Sequence, residues 1–111
     1  MNKREFDIIV WGATGFTGAL VAEYLLAHYG IGKDLRWAIA GRSEEKLEKL
    51  RHALGAEAAA LPTIVADSFD ETKLADMAAK TRVVVTTVGP YAKYGSALVA
   101  ACVQQGTHYC D

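Results

Sequence analysis

The sequence predicts an α/β fold, a doubly wound parallel sheet with the strand order 3-2-1-4-5. Short β-rich runs alternate with helical runs along the whole chain, and the connections between them are short. Such alternation is typical of parallel strands joined by right-handed helical crossovers. A glycine-rich turn between the first strand and the first helix favours the stated strand order.

The first strand and the first helix follow from local pattern. Residues 6–11 are rich in β-branched and aromatic side chains and predict strand one. Residues 16–29 predict a helix that ends at Gly30, because apolar side chains recur there at helical spacing. These apolar side chains are Phe16, Leu20, Tyr24 and Leu25.

The middle of the chain repeats the strand–helix pattern twice. Residues 35–40 predict strand two, and Ser43 is expected to cap a helix that runs to about His52. Residues 63–66 predict strand three. The run 68–71, Ser-Phe-Asp-Glu, is interpreted as a capping box that opens the third helix with Ser68 as its N-cap.

The last third of the chain predicts two more strands with a helix between them. Residues 82–87 form strand four, and their central run of three valines suits a strand buried on both faces. Residues 96–105 predict a helix closed by Gly106, and residues 107–110 begin strand five. We expect the fold to be truncated there, and its exposed edge to favour dimerisation or aggregation.

Composition limits the classes of protein to consider. The 111 residues suit one domain, residues 1–111, and 51% of them are hydrophobic, which is enough for a core. A formal net charge of −1 gives no indication of a nucleic-acid partner, and no stretch has the character of a membrane span. Cys102 and Cys110 fit no zinc or C-x-x-C spacing, so we expect two buried thiols, no metal site and a reducing, cytoplasmic compartment.

The turn after strand one carries the strongest functional signal. It has the spacing G-x-x-G-x-x-G, follows a strand and opens a helix, which is typical of a Rossmann-type dinucleotide-binding domain. Glycines allow a sharp turn and close approach of the backbone to a pyrophosphate, and the helix N-terminus favours its charge. Gly18 is expected to allow close packing of the helix against the strand. A tight turn in a ligand-free flavodoxin-like domain is the alternative. The expected cofactor-binding residues of this turn are Gly12, Thr14, Gly15, Phe16, Thr17 and Gly18.

The end of strand two indicates which dinucleotide is bound. NAD-binding domains usually carry an acidic residue there, whereas this chain has Arg42 followed by Ser43. An arginine can meet a 2′-phosphate and stack on adenine, and a serine can add a hydroxyl. We therefore predict NADP(H) in preference to NAD, although an exposed charge and a helix cap are the alternative roles of these two residues.

Two further segments are candidate parts of the same site. Asp67 follows strand three, where its carboxylate either accepts a hydrogen bond from the adenine amino group or only forms a turn. Val88, Gly89 and Pro90 follow strand four. There a glycine permits close backbone approach to the nicotinamide ribose, and a proline stiffens the turn.

Taken together, these motifs resemble the N-terminal part of the saccharopine dehydrogenase-like oxidoreductases, in the subtype that is similar to trans-acting enoyl reductases. The resemblance covers essentially the whole chain and implies an NADP-dependent enzyme that acts on a small-molecule substrate held by a second domain. It leaves the catalytic residues unknown. It rests on residues 7–18, 40–43, 87–91, 94–95 and 106–111.

Two functional hypotheses of different classes remain open at this stage. The first is the cofactor-binding part of an oxidoreductase that transfers hydride to or from a carbonyl, imine or enoyl carbon, with the substrate domain absent and this fragment alone inactive. The second is a non-catalytic NADP-binding sensor module. An extended short-chain dehydrogenase or epimerase is a third alternative, and it requires a Tyr-x-x-x-Lys pair beyond residue 111.

Overall fold

A computed structural model describes residues 4–31, 35–67, 69–86 and 96–110. These residues contain a sheet of five parallel strands in the order β3-β2-β1-β4-β5, which confirms the predicted topology. Within them, no helix combines the length and the apolar character needed to cross a membrane. The strands are β1 (Phe6–Trp11), β2 (Trp37–Gly41), β3 (Thr63–Val65), β4 (Thr81–Thr86) and β5 (His108–Cys110).

Helices cover both faces of the sheet. The helices are α1 (Phe16–Tyr29), α2 (Glu44–Leu54), α3 (Glu71–Ala79) and α4 (Ser96–Gln105). Helices α1 and α2 pack on one face, where Val10 of β1 and Ile39 of β2 are fully buried. Helices α3 and α4 pack on the other face, around Ile9 of β1 and Val84 of β4. The central strands β1 and β2 are therefore largely buried, as a doubly wound sheet requires, whereas the edge strands β3 and β5 are partly exposed.

The side of α1 that faces the sheet is formed mainly by small residues. Gly18, Ala22 and Leu25 are buried, whereas Phe16, Leu20 and Tyr24 are exposed at 82%, 48% and 56%. Small residues let the helix axis lie close to the sheet, so the large apolar side chains are carried on its outer side. The predicted helix and its bounds are confirmed, and of the four apolar side chains that indicate it only Leu25 faces the core.

The start of α3 differs from the prediction. The N-cap is Asp70, whose Oδ1 accepts a hydrogen bond from the Lys73 backbone N–H at 3.1 Å. The capping box with Ser68 as N-cap is therefore wrong, and Ser68 itself lies outside the described residues. An aspartate two positions later is an equally good cap and also places a negative charge at the helix N-terminus.

Smaller differences concern boundaries and one short element. Strand β2 begins two residues later than predicted, helix α2 extends to Leu54, and a 3₁₀ helix, Ala56–Ala60, precedes β3. The predicted end of strand four at Thr87 lies outside the described residues.

The two cysteines have different environments. Cys102 is buried between α4 and the sheet, and burial raises the pKa of its thiol to about 11, so it is an inert core residue as predicted. The same expectation for Cys110 is wrong, because that residue is exposed. Cys110 pairs with Val85 on the edge strand β5, on the sheet face opposite the α3–α4 layer.

Arg4 links two helix ends to the amino edge of the sheet, which is the edge at which the parallel strands begin. The Arg4 guanidinium donates to the backbone carbonyls of Ala78 at 2.9 Å, Thr81 at 3.0 Å and Gln105 at 2.7 Å, and to Thr107 Oγ1 at 2.9 Å. Two of these carbonyls lie in the last turns of α3 and α4, where a positive charge is favourable. The amino edge is thereby fixed, on the opposite side from the predicted site.

Candidate dinucleotide-binding site

The predicted site lies at the carboxyl edge of the sheet. Strand β1 is central, and its last residue, Trp11, pairs with Ala40 of β2 and Thr86 of β4. The order of the strands reverses between β1 and β4, because the chain adds strands first on one side and then on the other. Ligands of open α/β sheets bind at such a switch point.

The turn after β1 is held firmly against the sheet. The backbone N–H of Gly12 donates to the carbonyl of Ala40 at 2.9 Å, and the N–H of Gly15 donates to the carbonyl of Gly12 at 3.1 Å. Gly12 has a φ of 78°, which side chains with a Cβ rarely adopt. The residues beyond it, Thr14 to Thr17, are all exposed at this edge.

Gly18 is required by packing inside the domain. A Cβ on Gly18 would lie 2.4 Å from the carbonyl oxygen of Gly12 and 2.6 Å from the Cα of Ala13. Both contacts are with backbone atoms, which cannot turn away as a side chain can. The third glycine of the motif therefore permits the close approach of α1 to the turn, as the sequence predicts.

Gly15 differs, because nothing within the described structure demands a glycine there. Its φ of −79° and ψ of 170° are open to any residue. A Cβ would meet only the Gly12 carbonyl oxygen, at an ordinary 3.6 Å. The space above Gly15 is a cradle that a side chain would fill, and it fits a ligand that approaches the backbone closely.

The N-terminus of α1 is also built differently from those of α2 and α3. Ser43 and Asp70 cap α2 and α3 with their side chains, and both helices carry acidic residues in the first turn. The N-cap residue of α1 is Gly15, which offers no side-chain cap, and the first turn of the helix has no acidic residue. Its first N–H groups and the positive end of its dipole therefore suit an anion such as a pyrophosphate.

Arg42 and Ser43 leave β2 beside this turn. Arg42 is exposed, and Ser43 Oγ accepts a hydrogen bond from the Lys46 backbone N–H at 3.2 Å, which confirms its role as a helix cap. Glu44 and Glu45 occupy the first turn of α2, so that helix end does not attract a phosphate by itself. The prediction of a 2′-phosphate contact at this position therefore rests on the exposed Arg42 guanidinium.

Asp67 has the turn-forming role that the sequence offered as one of two alternatives. Its Oδ1 accepts a hydrogen bond from the Phe69 backbone N–H at 2.9 Å, and its carbonyl accepts from the Asp70 N–H at 3.0 Å. The side chain is exposed at the carboxyl edge. One carboxylate oxygen makes the turn bond, so recognition of adenine by the second remains a compatible prediction.

The structure brings the predicted residues of three strand ends together but leaves the fourth untested. Val88, Gly89 and Pro90 lie outside the described residues. Phe69 is a residue that sequence reasoning missed, because it was treated only as part of a helix cap. It is 68% exposed at this edge, and the available signal was an aromatic residue directly before a capping aspartate.

Comparison with known families and relatives shows the family of this domain. Residues 8–111 match the family model for the saccharopine dehydrogenase NADP-binding domain. A trans-acting enoyl reductase of Mycobacterium tuberculosis (strain H37Rv) is 53% identical over 109 residues, which are 98% of this chain and 25% of that protein. A trans-acting enoyl reductase of Mycobacterium leprae is 50% identical over 110 residues, 99% of this chain and 26% of that protein. The chain thus spans about a quarter of the length of these relatives.

Solved structures show the same fold at low sequence identity. Apo saccharopine dehydrogenase (L-Glu forming) from Saccharomyces cerevisiae has a TM-score of 0.75 at 20% identity, over 94% of this chain and 21% of that chain. The NADPH-dependent quinone oxidoreductase QOR2 from Escherichia coli, solved with NADPH, has a TM-score of 0.69 at 23% identity, over 90% of this chain and 34% of that chain. Both confirm the Rossmann-type architecture.

Proposed function

Because the chain belongs to the saccharopine dehydrogenase NADP-binding domain family, we propose that it is the cofactor-binding domain of an NADP(H)-dependent oxidoreductase. The observation that carries the proposal is the contrast between two glycines of one turn. Gly18 is demanded by packing, whereas Gly15 is demanded by nothing in the described structure and faces open space at the N-terminus of α1. A close-approaching phosphate explains a glycine at position 15.

Different residues bind different parts of the dinucleotide. The N–H groups of the first turn of α1, which follows Gly15, bind the pyrophosphate, and the glycine turn from Gly12 to Gly18 lets the phosphates approach them. Arg42 pairs with the 2′-phosphate, and Asp67 accepts a hydrogen bond from adenine. Val88, Gly89 and Pro90 complete the nicotinamide end. When bound, the cofactor supplies or accepts hydride, and the task of this domain is to bind and orient it.

The activity of the whole protein is hydride transfer to or from a carbonyl, imine or enoyl carbon of a small molecule. The names of the mycobacterial relatives favour an enoyl substrate. Since those relatives are about four times as long as this chain, we assign substrate binding and proton transfer to regions outside these 111 residues. We also assign the protein to the cytoplasm.

Cofactor preference gives the direct test of the proposal. NADPH and NADH are titrated calorimetrically into the wild type and into Arg42→Ala. Loss of a charge-assisted hydrogen bond is expected to weaken NADPH binding roughly 10- to 150-fold, while NADH binding changes much less. Arg82→Ala is the matched control, because Arg82 is also exposed but lies near the amino end of β4.

Two results would contradict the proposal. Absence of NADPH binding to the folded wild type would remove the cofactor role altogether. Equal losses of NADPH and NADH affinity in Arg42→Ala would leave the cofactor role but remove the 2′-phosphate contact.

A further inference from the structure

Phe69 is an exposed aromatic side chain at the ligand edge that the fold does not use. It directly precedes the N-cap Asp70, a position from which an apolar side chain often packs on the fifth residue after it. That residue, Leu74, is fully buried in the core, yet Phe69 stays 68% exposed. Most of the Phe69 ring is therefore available to something outside the domain core.

The backbone of Phe69 is held in place although its side chain is exposed. Its N–H donates to Asp67 Oδ1 at 2.9 Å, and the next N–H, that of Asp70, donates to the Asp67 carbonyl at 3.0 Å. Asp70 is in turn fixed as the cap of α3. A ring on a fixed backbone loses little conformational freedom when a flat ligand packs against it.

Phe69 lies close to the strand end that carries Arg42. Strands β2 and β3 are neighbours, with Gly41 paired to Val65, and the Ala66 N–H donates to the Gly41 carbonyl at 2.9 Å. Adjacent strands are roughly 4.8 Å apart, so the segments that begin at Arg42 and Asp67 leave the sheet side by side. Phe69 and Asp67 line one cavity at this edge, and Arg42 follows the neighbouring strand end.

We propose that the ring of Phe69 forms the apolar wall of a purine subsite and packs against the adenine of the bound dinucleotide. This inference rests on the proposed NADP(H) function and adds a residue to it. Every purine has a flat π-face that stacks on an aromatic side chain, and the Arg42 guanidinium and the Asp67 carboxylate suit a neighbouring phosphate and amino group. Elsewhere on the surface, Tyr24 is also an exposed aromatic, but it packs on His28, with ring centroids 4.1 Å apart.

The test separates the adenine half of the ligand from the nicotinamide half. NADPH, adenosine 2′,5′-bisphosphate and nicotinamide mononucleotide are titrated into the wild type, Phe69→Ala and Phe69→Leu. Both variants are expected to weaken binding of the two adenine-containing ligands roughly 5- to 30-fold, since a single ring face is lost. Binding of the mononucleotide is expected to stay unchanged. Tyr24→Ala, the matched control for an exposed aromatic, is expected to bind all three as the wild type does.

A third variant gives a readout that does not depend on affinity. In Phe69→Trp, adenosine 2′,5′-bisphosphate is expected to quench the fluorescence of the new indole by stacking on it. The same titration of the wild type, whose Trp11 and Trp37 are buried, measures the background change to be subtracted. Leucine keeps apolar bulk without a ring, so Phe69→Leu and Phe69→Trp decide the question even if Phe69→Ala folds poorly.

The outcomes distinguish the two levels of the proposal. If the folded wild type binds none of the three ligands, the NADP(H) function and the purine subsite both fall. If the wild type binds NADPH but Phe69→Leu binds it equally well and Phe69→Trp shows no quenching, only the purine subsite is overturned. An equal loss of mononucleotide affinity would also overturn it, because the effect would then not depend on adenine.

Discussion

Substituting alanine for Gly18 is expected to destabilise the domain, whereas the same substitution at Gly15 is expected to leave its stability nearly unchanged. In a helix, alanine is favoured over glycine by about 1 kcal/mol, so Gly18→Ala would be stabilising if space were available. The new Cβ would instead lie 2.4 Å, 2.6 Å and 2.9 Å from three backbone atoms of Gly12 and Ala13. Overpacking of a rigid environment costs about 3 kcal/mol, which leaves a net loss of about 2 kcal/mol.

At Gly15 the folded structure has space for the methyl group of alanine. Its Cβ makes one ordinary contact of 3.6 Å, and its backbone angles suit alanine. A small loss at the N-cap position and a small gain from a less flexible unfolded chain are expected to cancel within about 0.5 kcal/mol. The methyl group instead occupies the space assigned to the pyrophosphate, so Gly15→Ala is expected to lose NADPH affinity and Gly15→Val to abolish binding.

Thermal and urea denaturation followed by far-UV circular dichroism measure the first effect, and calorimetric titration measures the second. A net loss of about 2 kcal/mol corresponds to a fall in Tm of about 10 °C for Gly18→Ala. A Gly18→Ala variant as stable as the wild type would refute the packing argument. A folded Gly15→Val variant with unchanged NADPH affinity would remove this turn from the binding site.

Three further predictions concern single side chains. Arg4→Ala is expected to lower the free energy of unfolding in urea by about 2–4 kcal/mol, because three carbonyls lose a charged donor; an unchanged midpoint would contradict this. Hydrogen bonds from the Arg36 backbone and side chain hold the pKa of Asp7 below its usual value. Their contribution to the free energy of unfolding is therefore present above the unfolded-state pKa and is lost as pH falls through the folded-state pKa. Asp7→Asn should therefore be less stable than the wild type at pH 7, with the difference closing in acid, and a constant difference would refute this. Asp67→Ala is expected to weaken NADPH and NADH alike by about 1–2 kcal/mol, whereas a loss of stability without a loss of affinity would assign Asp67 to its turn alone.

The strand order and the main turn were predictable because both depend on short-range pattern. Alternating strands and helices with short connections leave few topologies once crossovers are right-handed. The spacing of Gly12, Gly15 and Gly18 then identifies the first crossover. The sequence also predicts the packing role of Gly18, and the structure supplies the backbone atoms, those of Gly12 and Ala13, that lie opposite its missing Cβ.

The failed predictions arise where local preference permits more than one answer. On α1, the spacing of apolar residues predicts the helix but not which of its sides faces the sheet, and close packing places Gly18 and Ala22 there. Before α3, serine and aspartate are both good caps, and the chain uses Asp70. The exposure of Phe69 and Cys110 likewise depends on tertiary packing, which periodicity along the chain does not report.

Mapping NADPH binding onto individual backbone amides by two-dimensional ¹H–¹⁵N NMR tests the central claim most directly. We expect NADPH to cause the largest changes in amide chemical shift at the start of α1, from Gly12 to Ala19, with further changes at Arg42 and Phe69. The amino edge near Arg4 and the groove between α1 and α2, lined by Glu23 and Leu54, should be unaffected. Shifts confined to that groove or to the amino edge, with the α1 N-terminus unchanged, would contradict the account.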